Sequence, residues 1–285
     1  MTYIAEALPQ LPSFWGNDQV MNSQHVIEKI NSRQNAWYKN LREWSQSSGV
    51  HKDKNLLWLE GDHLCEAARL KGLNFQTLIF RDDCPAGIIE NWSKQADKLV
   101  QIPAFLMEGL SSLHSAPLMA AVIALPLKPL FNPQLSTVVL DQMQDPGNAG
   151  SILRSAAAFG FKQVLTTPNT VGLWTHKVVR AAMGAHFDLA IVEGVSVEQI
   201  QASPLQIVLT SSHHGNFLDE LVVSYQLPSP LAWIFGHEGR GHSPQWAQSN
   251  FQAVRIRQAG GQESLNVAAA AAICLHASSI QAFKT

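Results

Sequence analysis

From residue 136 onward the chain repeats one unit, a short apolar run rich in Val, Ile and Leu followed by a stretch of helix-forming residues. STVVL, KQVLTTP, LQIVLTSS, PLAWIF and FQAVRIRQ are the apolar runs. SILRSAAAFG, THKVVRAAMG and SLNVAAAAAICLHASSIQAF carry the Ala and Leu content of helices. Strands separated by helices lie parallel and are joined by right-handed crossovers, so this half of the chain predicts an α/β fold on a parallel sheet. In such sheets ligands bind at the loops beyond the carboxyl ends of the strands.

The first half alternates in the same way on a smaller scale. NLLWLEG, FQTLIF and KLVQIP read as strands, and DHLCEAARLKG and PAGIIENWSKQA as helices. Before them, Val26, Ile30, Trp37, Leu41 and Trp44 recur at helical intervals and predict a helix over 24–45 with a break at Asn31 and Ser32. LPLKPLFNPQL has three prolines in eleven residues and reads as a linker. The expected organisation is a tail over 1–20, a small α/β domain over 21–124, a linker over 125–135 and a second domain over 136–285.

The 285 residues include 20 Lys and Arg against 22 Asp and Glu, a net charge of −2. This argues against a general polyanion coat and leaves room for a local basic face. No apolar run reaches the roughly 20 residues that span a bilayer, and MTYIAEALPQLPSFW lacks a basic leader and a cleavage site, so a cytoplasmic protein without membrane contact is expected. Cys65, Cys84 and Cys274 are widely spaced and the eleven histidines fall in no metal-binding pattern, so no metal is expected.

Three polar, glycine-rich loops follow predicted strands. DPGNAGSILR offers Asn148, Gly150 and Arg154. IFGHEGRG offers Gly236, Glu238, Gly239 and Gly241. ESLNVAAAAA offers Ser264, which can cap the following helix, and Asn266, a mediocre helix former in the first turn of an alanine-rich helix. A carboxylate among glycines repels an anion, so the second loop is no phosphate cradle; its glycines let backbone approach a ligand closely. Loops at the carboxyl ends of parallel strands face one side of the sheet and can share one ligand.

In this order and spacing, DPGNAGSILR, IFGHEGRG and SLNVAAAAA resemble the three motifs of the SpoU, or TrmH, family of the SPOUT superfamily, RNA ribose 2′-O-methyltransferases that use S-adenosylmethionine. HKVVRAAMGAHFDLA is similar to the family's substrate-side helix and strand. INSRQNAWYKNLREW, LLWLEGDHLCEAA and LSSLHSAPLMAAV resemble the amino-terminal RNA-binding domain of its ribosomal-RNA members. The resemblance implies a carboxyl-terminal α/β knot, with the last segment threaded through a preceding loop. It also implies a homodimer formed through that domain and action on RNA, with 23S ribosomal RNA as the expected substrate. Transfer RNA is one alternative substrate, and a non-catalytic RNA-binding or ribosome-assembly role is another reading. Thr210, Gly236, Gly239, Gly241, Ile256, Ser264, Leu265 and Asn266 match the cofactor positions, with S-adenosylhomocysteine as product, and His237 stands where the family often has Asn.

The resemblance makes Arg154 the catalytic arginine. A guanidinium is too weak an acid to serve readily as a base, so the role expected for it is electrostatic, holding the ribose hydroxyl and stabilising the alkoxide as it forms. Asn148 and Glu238 are expected to orient Arg154 and its loops, and Asn266 to complete the polar wall beside the sulfonium. Arg33, Lys39 and Arg42, interleaved with Trp37 and Tyr38, are expected to meet RNA, as is Arg180 at a substrate phosphate.

Overall fold

The computed structural model describes residues 26–47, 49–248, 251–260 and 265–282. Two sheets organise it. The first is built from β1 (Ile27–Lys29), β2 (Leu56–Glu60), β3 (Phe75–Arg81), β4 (Ala96–Ile102) and β5 (Met119–Ala124), in the order β1-β4-β3-β5-β2. Its helices are α1 (Ala36–Gln46), α2 (Val50–Asp53), α3 (Asp62–Leu70), α4 (Ala86–Ser93) and α5 (Ala104–Glu108). β1, β4 and β3 run parallel, whereas β5 lies antiparallel between β3 and β2.

The predicted helix over 24–45 is corrected here. Gln24 and His25 lie outside the described residues. Ile27–Lys29 is a strand laid along β4, with Ile27 opposite Leu99, and the Ile30 N–H donates to the Gln101 carbonyl at 3.0 Å. The helix starts only at Ala36, where Asn35 caps it by accepting from the Trp37 and Tyr38 N–H groups at 2.7 and 3.3 Å. An open edge on β4 outweighed a helical interval between Val26 and Ile30, because each strand hydrogen bond satisfies a backbone group that would otherwise be exposed at that edge.

The second sheet has seven strands, all parallel: β6 (Thr137–Leu140), β7 (Gln163–Thr166), β8 (Ala190–Val192), β9 (Gln206–Thr210), β10 (Asn216–Phe217), β11 (Leu231–Phe235) and β12 (Gln252–Arg255). Between them run α6 (Pro146–Ala158), α7 (His176–Ala182), α8 (Val197–Gln201), α9 (Leu218–Val223) and α10 (Val267–Ala282). The order β10-β12-β9-β11-β6-β7-β8 reverses direction around β6 and β11. That reversal opens a crevice at the carboxyl ends of the central strands, where the three glycine-rich loops emerge. β6 and β11 are buried along their whole length, as expected of strands covered by helices on both faces.

Helix starts place the motif residues. Asp145 caps α6 through a 2.7 Å bond from the Asn148 N–H, with Pro146 in the first turn, so DPGNAG is the beginning of the helix rather than a loop before it. Asn266, placed by its sequence in the first turn of α10, instead caps it: its Oδ1 accepts from the Ala268 and Ala269 N–H groups at 2.9 and 3.2 Å. A poor helix former is a good cap, so Asn266 carries no propensity cost there.

The two sheets share one apolar core. A continuous cluster of buried side chains includes Leu59, Leu64 and Ala68 of the first unit and Val138, Leu153 and Val178 of the second. The proline-rich segment is anchored as well: the Asn132 N–H donates to Gln163 Oε1 at 2.8 Å, and Gln163 Nε2 donates back to the Asn132 carbonyl at 3.1 Å.

Candidate active site

A cleft of about 670 Å³ opens at the carboxyl ends of the central strands. β9 contributes Thr210, the loop after β11 contributes Gly236 to His242, the end of β12 contributes Val254 and Ile256, and Leu265, Asn266 and Cys274 come from the start and inner face of α10. Every described residue matched to a cofactor position therefore lies on one wall system: Thr210, Gly236, Gly239, Gly241, Ile256, Leu265 and Asn266. Ser264 lies outside the described residues.

The glycine loop folds back on itself. His237 and Gly241 exchange two backbone hydrogen bonds of 2.8 and 2.9 Å. A β-carbon at Gly236 would lie 2.5 Å from the Gly241 carbonyl carbon, and Gly241 has a φ of +70°, so both positions need glycine. His237 Nδ1 accepts from the Gly239 N–H at 3.0 Å, closing a turn over two residues as an Asn side chain does.

Asn148 joins the three motifs. Its Nδ2 donates to Glu238 Oε1 at 3.2 Å, and its Oδ1 accepts from Asn266 Nδ2 at 3.1 Å. The Glu238 carboxylate also accepts from the Asp145 N–H at 3.2 Å and the Gln144 N–H at 3.5 Å. Burial by itself raises the pKa of Glu238, but these bonds together outweigh it and hold the carboxyl below its ordinary value. An ionised Glu238 thus knits the loop after β6 to the loop after β11, and Asn148 carries the link on to the cap of α10.

Arg154 stands outside this network. It is exposed on α6 and has no hydrogen-bond or ion-pair partner among the described residues. Six residues along a helix turn it by about 600° and advance it about 9 Å, so Asn148 and Arg154 leave α6 on different faces. Neither Asn148 nor Glu238 is hydrogen-bonded to Arg154; their bonds run between the loops.

The expected RNA-facing residues divide. Lys39 and Arg42 are exposed on α1, and Arg33 lies 5.8 Å from the centre of the Phe105 ring. Tyr38 is buried and its hydroxyl donates to the Leu106 carbonyl, while Trp37 packs edge-on against Trp44 under Lys98. Tyr38 belongs to the core beneath the helix, and the half-buried Trp37 and Trp44 pack against that core. Arg180 is held by Ser112 of the first unit, its Nη1 donating to Ser112 Oγ at 2.8 Å.

The sequence reading missed Asp141, a carboxylate directly after an apolar strand. It is fully buried; its Oδ1 accepts from the Thr167 hydroxyl at 2.9 Å and its Oδ2 from the Ser243 N–H at 2.7 Å. Beside Ser243, His242 Nε2 donates to the Thr210 carbonyl at 2.6 Å. Burial holds His242 below the ordinary imidazole value, against the opposing pull of that carbonyl and of Asp141, so it remains a neutral donor. Asp141 pins the far end of the glycine loop to the exit of β7. Substituting it with Ala orphans two donors and is expected to cost roughly 2–4 kcal/mol. A denaturant titration of D141A with an unchanged midpoint would contradict this.

Among the described residues no cluster of His, Cys, Asp and Glu is placed to hold a metal ion, and no helix is long and apolar enough to cross a membrane.

Residues 136–276 match the model of the SpoU rRNA Methylase family. An uncharacterised tRNA/rRNA methyltransferase of Synechocystis is 31% identical over 88% of this chain and 93% of its own length. A 23S rRNA guanosine 2′-O-methyltransferase of Bacillus subtilis is 24% identical over 88% of this chain and 98% of its own. Two solved structures share the fold. An AdoMet-bound rRNA methyltransferase from Sinorhizobium meliloti has a TM-score of 0.75 and 23% identity, over 88% of this chain and 97% of that one. The SpoU methyltransferase AviRb from Streptomyces viridochromogenes, in complex with AdoMet, has 0.74 and 22%, over 88% and 100%. The matched region contains all three segments that Asn148 ties together, and the Synechocystis relative aligns across both sheets; the chain belongs to the SpoU rRNA methylase family.

Proposed function

We propose that this protein transfers a methyl group from S-adenosylmethionine to a ribose 2′-hydroxyl of RNA, with 23S ribosomal RNA as the substrate class. The observation that carries the reading is the Asn148 bridge, which closes three sequence-distant segments around one cleft. The cleft fits the cofactor. Its volume lies within the range of about 300–1,000 Å³ typical of small-molecule sites, and its walls combine apolar side chains such as Val254, Ile256 and Leu265 with glycine backbone and polar groups such as Ser211 and Gln258. Thr210, Gly236, Gly239, Gly241, Ile256, Leu265 and Asn266 would hold the cofactor. When bound, it supplies a methyl group already activated on a sulfonium and leaves as S-adenosylhomocysteine.

The remaining task falls to this chain, because a ribose hydroxyl is a weak nucleophile. Arg154 positions the hydroxyl or an adjacent phosphate and stabilises the negative charge that develops on oxygen. Glu238 and Asn148 keep the loops in the closed arrangement, so that little reorganisation accompanies the reaction. Lys39, Arg42 and Arg33 give the first unit a local positive face for the RNA backbone.

Three further features belong to this reading. The carboxyl-terminal segment threads through a preceding loop, a placement supported by α10 packing on the family-matched sheet. The protein acts as a homodimer through the second unit, supported by the half-exposed Ile273 and Ile280 on α10. It works in the cytoplasm. The test is a map of 2′-O-methyl marks in ribosomal and transfer RNA from cells with and without the gene. Loss of a mark from 23S RNA is expected; loss from transfer RNA alone moves the substrate assignment, and no lost mark rejects the activity.

A further inference from the structure

The seam between the two units carries a hydroxyl-bridged ion pair. Glu60, the last residue of β2, accepts from Trp58 Nε1 at 3.1 Å and from the Ser112 N–H at 3.2 and 3.3 Å on its two oxygens. The Ser112 hydroxyl donates to Glu60 Oε2 at 3.2 Å and accepts from Arg180 Nη1 at 2.8 Å; the same Nη1 reaches the Ser112 carbonyl at 3.3 Å. Opposite charges from the two units thus face each other through one serine. Ser112 and Arg180 lie at the exposed rim of the seam, and other contacts join the same two units. Gly184, with φ +88°, would place a β-carbon 2.5 Å from that of Ala67 on α3, and Lys71 pairs with Asp188.

The seam reaches the catalytic helix through α7. A β-carbon at Gly150 would lie 2.4 Å from that of Ala181, so α6 rests directly on the residue next to Arg180. Gly150 and Arg154 are four apart on α6 and share that face.

We propose that Glu60, Ser112 and Arg180 are positioning residues that fix the RNA-bearing sheet in register with Arg154, through α7 and Gly150. The inference rests on the RNA methyltransferase reading above. Arg180 then acts on Ser112 across the seam, not on a substrate phosphate, and the two roles leave different signatures. Loss of register leaves each binding surface intact but misplaces the hydroxyl, which lowers kcat. Loss of a phosphate contact weakens RNA binding and reduces its salt dependence by about one counterion.

The experiment compares R180A, S112A, the double variant and R180K in the full chain, using 23S RNA and S-adenosylmethionine. Expected are a kcat about tenfold lower in R180A and in S112A and no further loss in the double variant. R180K should recover part of the rate, and the dissociation constants for RNA and cofactor should be unchanged. Amide exchange at Ser112 is read in parallel and should quicken in R180A and E60Q. A weaker RNA complex with a shallower salt slope in R180A alone, or unchanged kinetics in both single variants, overturns the proposal. If wild type transfers no methyl group, the activity reading fails; the Glu60–Ser112–Arg180 link is then judged on Ser112 exchange, and unchanged exchange rejects it as well.

Discussion

R154A is expected to lose methyl transfer by about 10²–10³-fold while binding S-adenosylmethionine as tightly as wild type, the usual effect of deleting one preorganised donor to a developing oxyanion. The separation follows from geometry. Arg154 is absent from the wall of the cleft and takes no part in the Asn148 network, so its removal leaves the cofactor's surroundings untouched. It is exposed and bonded to no other described residue, so folding stability should also be unchanged within about 0.5 kcal/mol. Calorimetric titration and single-turnover transfer on the same preparation check both halves. Full-rate transfer by R154A would remove the guanidinium from the mechanism.

E238A is expected to fail differently. Removing the carboxylate leaves the Gln144 and Asp145 N–H groups and Asn148 Nδ2 without their acceptor and frees the glycine loop from the loop after β6. Cofactor affinity should fall about 10–100-fold, equivalent to about 1.4–2.8 kcal/mol, and transfer should fall with it. The same network sets a pH dependence. The folded carboxyl titrates below its ordinary value near 4.5, so the stabilisation is complete above that value and is lost as the pH falls through the depressed folded one. In wild type, cofactor affinity should therefore decline at the acid end of the titration, and E238A should lack that limb. Equal affinities for the two proteins at neutral pH would show that Glu238 does not hold the site together.

The strand-and-helix alternation of the second half was legible because β6, β9 and β11 are short, apolar and bounded by polar loops. The motif residues were legible for a related reason: glycine, Asn and Glu at strand ends are poor choices for packing, so they stand out. Their bonding was not legible. Glu238 meets Gln144 and Asp145 over some ninety residues of sequence, and only the sheet order brings the two loops together. Asp141 escaped notice because a carboxylate after a strand reads as the first solvated loop residue; that it is buried depends on Thr167 and Ser243, both distant in sequence. In the first half, Val26 and Ile30 kept a helical interval until the edge of β4 claimed Ile27–Lys29 and the Ile30 N–H, and Tyr38 sat at a spacing that suits either a core or a stacking surface. Local pattern cannot choose between such readings when the deciding partner is remote.

The central claim concerns where the methyl group goes, and the most direct measurement follows that carbon. Purified protein is incubated with ribosomal RNA and S-adenosylmethionine labelled in the methyl group, and the RNA is digested to nucleosides and separated. Label in a 2′-O-methylated nucleoside, absent with R154A, is the predicted result. Label on a base, or RNA that stays unlabelled while the cofactor binds, would contradict it.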